Sequence, residues 1–239
     1  MTVYKKKTSA RLKQIARGLM LGKYRNAITL LLANDLLLSS LSLFAATASN
    51  SVSGLVIGLF INFIIALLGN ILQVGQCSFY LNIASGQHYN FSDLFTGLKV
   101  YPDKTILTSL VVLLLCGIPL LPATVLLTIF AFLPDMVVLF LSGCILLVAG
   151  GMLSCWLALR FSQIPYLLLD FPESSSVDLL RSSWKLMSGN CGRLFYLHVS
   201  FLPLTFVGLL TFGIGFLFIT PYQSMTYTLF YLDMIKQSE

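Results

Sequence analysis

Apolar residues run along this chain in blocks too long and too continuous to be the buried face of a soluble helix. They lie near 26–47, 54–80, 105–131, 136–160, 194–212 and 215–235. Each block approaches the ~20 residues that a helix needs to cross ~30 Å of hydrocarbon. None shows the short period-two alternation of a membrane β-barrel. The pattern predicts an all-α, polytopic membrane helical bundle with six transmembrane helices in a single integral membrane domain, 1–239. The links SNSVSG, FLPD and FGIG are short, and their only charge is Asp135, whereas the links 81–104 and 161–193 are long and polar. The spans therefore pair as three hairpins.

Shorter patterns stand before the hairpins. RGLMLGKYRN at 17–26 and RSSWKLMSGN at 181–190 both place Leu-Met two residues ahead of a glycine. In the second, Val177, Leu180, Trp184 and Met187 recur at helical spacing, with Arg181, Ser182 and Lys185 on the other side. Serines 174–176 offer caps, and Gly189 suits a C-terminal stop. In the first, Leu12, Ile15 and Leu19 make the stripe, and Arg11, Lys13, Gln14 and Arg17 are polar. A weaker copy, FSDLFTGLKVY, turns Phe91, Leu94, Phe95 and Leu98 inward and Lys99 outward. These predict amphipathic interfacial helices near 9–21, 91–101 and 176–188, one before each hairpin, with Trp184 at headgroup depth. Tyr80 and Tyr166 occupy equivalent places, as do Lys99 and Lys185, which suggests an internal repeat.

Composition agrees: 57% of the 239 residues are hydrophobic and only 10% are charged, against about 25% charged in soluble domains. Charge then orients the bundle. Eight of the fifteen Lys and Arg lie in residues 5–25, and the rest fall in the long links, at the edges of spans or in the tail. All fifteen thus share one side, which the positive-inside rule makes cytoplasmic, together with both termini. The basic N-terminal segment and Ala46-Thr47-Ala48 also resemble a signal peptide. The apolar run is too long for one, so an uncleaved span is expected. The basic residues suit anionic headgroups rather than nucleic acid.

Candidate chemistry is sparse. The five cysteines, Cys77, Cys116, Cys144, Cys155 and Cys191, form no metal-ligand spacing. No Walker loop, zinc helix or nucleophile elbow occurs, so no cofactor, metal or catalytic residue is expected. Asp35 falls nine residues into the first span, ~13 Å deep, with Asn62 at similar depth in the second. The expectation is a protonated Asp35 hydrogen-bonded to Asn62 across the hairpin, as structural glue or as a proton or cation site. Gln73, Gln76 and His198 share the cytoplasmic half, as interface residues or the lining of a polar vestibule. Gly54-xxx-Gly58 and Gly150-xxx-Ser154 permit close helix packing. Pro119 and Pro122 interrupt the third span, and Pro165 follows the fourth.

SWKLMSGN, then LF at 194–195, SF at 200–201, TFGIG at 211–215, PY at 221–222 and FY at 230–231 resemble a bacterial membrane-protein family, domain of unknown function 975. The specific resemblance covers about 180–232, and it departs at Pro203-Leu204, where a Trp is expected. It implies a multi-pass protein of the bacterial cytoplasmic membrane and implies no reaction. In its motif, Gly213 and Gly215 permit a tight outside turn, Pro221 bends the last span, and Tyr222 reaches the outer headgroups. The functional expectation is a non-enzymatic structural or accessory component. It would engage anionic lipid or another membrane protein through Arg11, Lys13, Arg17, Arg181, Trp184 and Lys185. The alternative is a small-solute or ion transporter with a site around Asp35.

Overall fold

The structure is a computed structural model that describes residues 6–47, 52–100, 102–132 and 136–238. Every regular element among them is helical. In chain order these are α1 (Ser9–Met20), α2 (Tyr24–Thr47), α3 (Val52–Ser85), a 3-10 helix (Phe91–Phe95), α4 (Thr96–Lys99) and α5 (Pro102–Gly117). A second 3-10 helix (Ile118–Leu120) leads into α6 (Leu121–Phe132), α7 (Val137–Phe161) and α8 (Ile164–Asp170). The chain ends with α9 (Ser176–Met187), α10 (Cys191–Val199), α11 (Leu202–Leu210) and α12 (Phe216–Ser238).

Among the described residues five stretches are long and apolar enough to cross a membrane: Tyr24–Leu43, Ile57–Ser85, Pro102–Ala131, Val137–Asp170 and Cys191–Leu210. The expected sixth, α12, falls short of that apolar character. Its neighbours explain why. α12 packs on α1, α2, α3 and α11, and it buries Thr226, Thr228, Tyr231 and Asp233 among its own turns. A helix shielded by protein can carry polar groups that a lipid-facing helix cannot. The other long helices leave Leu36, Leu59, Val138, Ile145, Met152 and Leu210 exposed, as a surface meant for lipid does.

The core lies at one end. Leu12, Met20, Phe79, Ile83, Leu94, Met187, Leu197, Met225 and Phe230 meet there, each at most 1% exposed. The proline breaks fall as expected near Pro119 and Pro165, where α5 gives way to a 3-10 turn and α7 to α8. Pro221 lies inside α12, which runs on through it.

α1 and α9 match in structure as well as in sequence pattern. Each has twelve residues. Each is capped by a hydroxyl that accepts from a backbone N–H, Thr8 from Arg11 and Ser175 from Asp178. Leu12, Ala16 and Met20 are buried in α1, and the buried Leu179, Ser183 and Met187 stand 167 positions later. Gly22 and Gly189, again 167 apart, turn out of the helices at φ +77° and +80°. The buried faces differ from those expected. Val177 is 63% exposed and Trp184 39%, because small Ala16 and Ser183, rather than bulky neighbours, permit the close approach. The third copy keeps Leu94 buried, but it forms a 3-10 turn and one turn of α4, and it leaves Phe91 and Leu98 exposed. Tyr80 and Tyr166 both reach α12, at Ser224 and Thr228, one turn apart.

α7 closes on the broken α5–α6 segment through the expected small pair. A Cβ at Gly150 would lie 2.3 Å from the Pro119 carbonyl oxygen, while Ser154 Oγ donates to the Cys116 carbonyl at 2.7 Å. The surroundings of Gly54, in the other small pair, lie outside the described residues. Gly150→Ala is expected to cost about 1–3 kcal/mol by overpacking. Gly151→Ala, with nothing within 4 Å of its Cβ position, should leave stability nearly unchanged. Melting of the two variants in detergent checks this, and equal melting temperatures would refute the close contact.

Candidate functional site at the basic end

Residues from both ends of the chain meet at the core end. Arg193, near the start of α10, pairs with Asp233 of α12, whose side chain is fully buried. The same guanidinium donates to the Lys7 carbonyl at 2.5 Å, and the Lys7 N–H donates to Asp233 Oδ1 at 3.4 Å. Gln237 Nε2 donates to the other carboxylate oxygen at 3.1 Å, and Arg193 lies 5.0 Å from the Phe230 ring centre. Lys6 Nζ reaches Asn190 Oδ1 at 3.1 Å. An ion pair out of water is tolerable only when hydrogen bonds satisfy both partners, and here the N-terminal backbone supplies some of them.

Lys13, expected among the lipid contacts, is engaged within the protein. Its ammonium donates to the Ser200 carbonyl at 2.7 Å and sits 4.0 Å from the Phe201 ring centre. Burial lowers its pKa from the ordinary lysine value. It occupies the break between α10 and α11, where helical bonding is interrupted. Tyr222, expected to reach the outer headgroups, is likewise turned into the protein: it is 9% exposed, and its hydroxyl donates to the Lys13 carbonyl at 3.2 Å. Docking of α1 onto α12 draws it inward. Arg11, Arg17, Arg181 and Lys185 remain exposed.

Trp184 belongs to a cluster that hydropathy could not reveal. Its ring meets Trp156 edge-on at 5.2 Å, and the Arg160 guanidinium lies 4.6 Å from Trp184 and 5.1 Å from Trp156. Arg160 Nη1 also donates to the Trp184 carbonyl at 3.3 Å. Both indoles are partly exposed, as tryptophans in an interfacial belt are.

The Asp35–Asn62 pair does not form. Asn62 Nδ2 donates to the Gly58 carbonyl of its own helix at 2.8 Å, and Asp35 accepts from Asn34 at 3.3 Å. Asn34 is the buried one, at 8% exposure. Successive helical residues point ~100° apart, so turning Asn34 inward leaves Asp35 exposed. The tight turn forms as expected, with Gly213 at φ +90° and Gly215 pressed against Thr211 and Gly208. Gln73 and His198 line one cavity, and Gln76 is not among its lining residues. Among the described residues no group of three His, Cys, Asp or Glu could hold a metal ion.

A family model described as "Protein of unknown function (DUF975)" matches residues 1–238. The chain belongs to the DUF975 family. The match extends beyond the C-terminal motifs to take in α1 and the N-terminal segment. No curated protein and no solved structure matches the chain. For this DUF975 member the ion pair, rather than Asp35, is the polar centre of the fold.

Asp233→Ala strands a largely buried guanidinium and is expected to cost about 3–5 kcal/mol. It should also expose the peptide bond after Lys7 to trypsin. Joint replacement by Arg193→Met and Asp233→Leu should recover much of the stability but not the protection of the N-terminal segment. Melting and timed proteolysis check both, and an unchanged cleavage rate in Asp233→Ala would contradict the clamp.

Proposed function

We propose that this DUF975 protein is a non-enzymatic accessory component of the bacterial cytoplasmic membrane whose basic end engages anionic lipid headgroups. In this reading α12 completes six crossings, α2–α3, the α5–α6 segment with α7, and α10–α11 with α12 form three hairpins, and both termini are cytoplasmic. The observation that carries it is the division of labour in α1 and α9. Their inner faces are sealed into the protein, while Arg11, Arg17, Arg181 and Lys185 stay exposed, with the half-exposed Trp184 on α9 and Trp156 beside it. Basic side chains near an anionic leaflet contribute about 1 kcal/mol each. A membrane protein partner would use the same exposed face.

A second reading, transport of a small solute or ion, rests on Asp35, exposed within an otherwise apolar span. It requires a pH-dependent flux that Asp35→Asn abolishes.

The lipid reading predicts that purified protein retains anionic phospholipid, and that a variant carrying Gln at Arg11, Arg17, Arg181 and Lys185 loses most of it. Retention should also fall between about 0.1 and 1 M salt, as screening shortens the reach of exposed charges. Lipid mass spectrometry reads both. Equal retention by the variant would sink the reading, and labelling of cysteines at 174–176 from outside the cell would sink the orientation.

A further inference from the structure

A cavity of about 470 Å³ lies between α3, α5, the α7–α8 break, α10 and α12. That is within the ~300–1,000 Å³ of small-molecule sites. Along α5 it extends from Thr108 to Cys116, roughly 12 Å of helix. It is independent of the basic face invoked above.

Its polar groups fall into two sets. Some are spent within the protein: Thr108 Oγ1 donates to the Lys104 carbonyl, Tyr166 meets Thr228, and His198 Nδ1 meets the Tyr227 hydroxyl at 2.6 Å. Others are not. Gln163, only 3% exposed, gives its amide N–H to Ser162, and its Oε1 has no partner among the described residues. Gln73 and Ser109 make no side-chain hydrogen bond to another described residue. Pro165 adds to the deficit, since it has no N–H to offer the Phe161 carbonyl four residues back. A polar group buried away from water without a partner costs free energy, as Gln163 Oε1 is, and the exposed amide of Gln73 and the hydroxyl of Ser109 leave further donors and acceptors for an occupant.

Among the described residues no Asp, Glu, Lys or Arg lines the cavity. A carboxylate or ammonium held there would be an uncompensated charge. We propose that the cavity is a binding site for a small uncharged solute rich in hydrogen-bonding groups, such as a polyol or a primary amide. Gln73, Ser109 and Gln163 hold its polar groups, and the apolar walls of α5 and α10 take its carbon skeleton.

Cys116 lines the same cavity as a free thiol and serves as the reporter. The full chain in detergent is treated with a small neutral thiol reagent, methyl methanethiosulfonate, and Cys116 modification is timed by peptide mass spectrometry. Ribitol and propionamide are the uncharged probes, with ribonate and propylammonium as charged counterparts. At least one uncharged probe is expected to slow modification saturably, by fivefold or more, while the charged counterparts do not. Ser109→Ala and Gln163→Leu should each raise the half-protecting concentration at least tenfold while leaving the unprotected rate and the melting temperature nearly as in the parent. Protection by neither uncharged probe would overturn the proposal and leave a water-filled polar layer between helices. Equal protection by charged and uncharged solutes, or protection that survives both substitutions, would overturn it as well.

Discussion

The Arg193–Asp233 pair brings three distant pieces of chain to one place. Arg193 comes from α10, Asp233 from the far half of α12, and the Lys7 backbone from the segment before α1. Two charges out of water are stable together and costly apart. Removing either one therefore removes the reason for the other to be there. Because Lys7 immediately precedes the Thr8 cap, the pair also fixes where α1 begins and thus which of its faces meets α12. The burial of Leu12, Ala16 and Met20 follows from that register.

From this anchor the rest of the core end can be assembled. α1 brings Lys13 to the break between α10 and α11, where a carbonyl lacks its helical donor. It also brings the Lys13 carbonyl to Tyr222, which ties α12 in turn. On the other side Tyr80 and Tyr166 reach adjacent turns of α12 from α3 and α8. α12 is thus held by polar contacts on several sides. That is why it is the least apolar of the long helices and yet among the most buried.

Five of the six expected spans are legible because hydropathy over twenty residues needs no partner to be read. The breaks at Pro119 and Pro165, and the close contact at Gly150, were legible because proline and glycine act through the backbone alone. Faces were harder. Ala16 and Ser183 sit at the centres of the two buried stripes, and neither announces itself as apolar; what matters there is that they are small. Asp35 and Asn62 sit at matching depth, but depth says nothing about rotation, and one residue of rotation turned Asn34 inward instead. The rule that drew attention to Asp35, an ionisable group inside an apolar block, applies equally to Asp233 within 215–235. The signal that would have chosen between them is a basic partner at the same level. Arg193 stands at the mouth of the fifth block, and nothing comparable stands near Asp35.

α1 is a docked part of the bundle, with one face sealed against α12. Cysteine placed at Ala16 and, separately, at Gln14 tests it directly, in intact membranes opened on the basic side and treated with a water-soluble maleimide. Ala16 is fully buried and Gln14 is exposed. Rapid labelling is expected at 14 and almost none at 16 until the protein is denatured. Comparable labelling at both positions in the folded protein would contradict it.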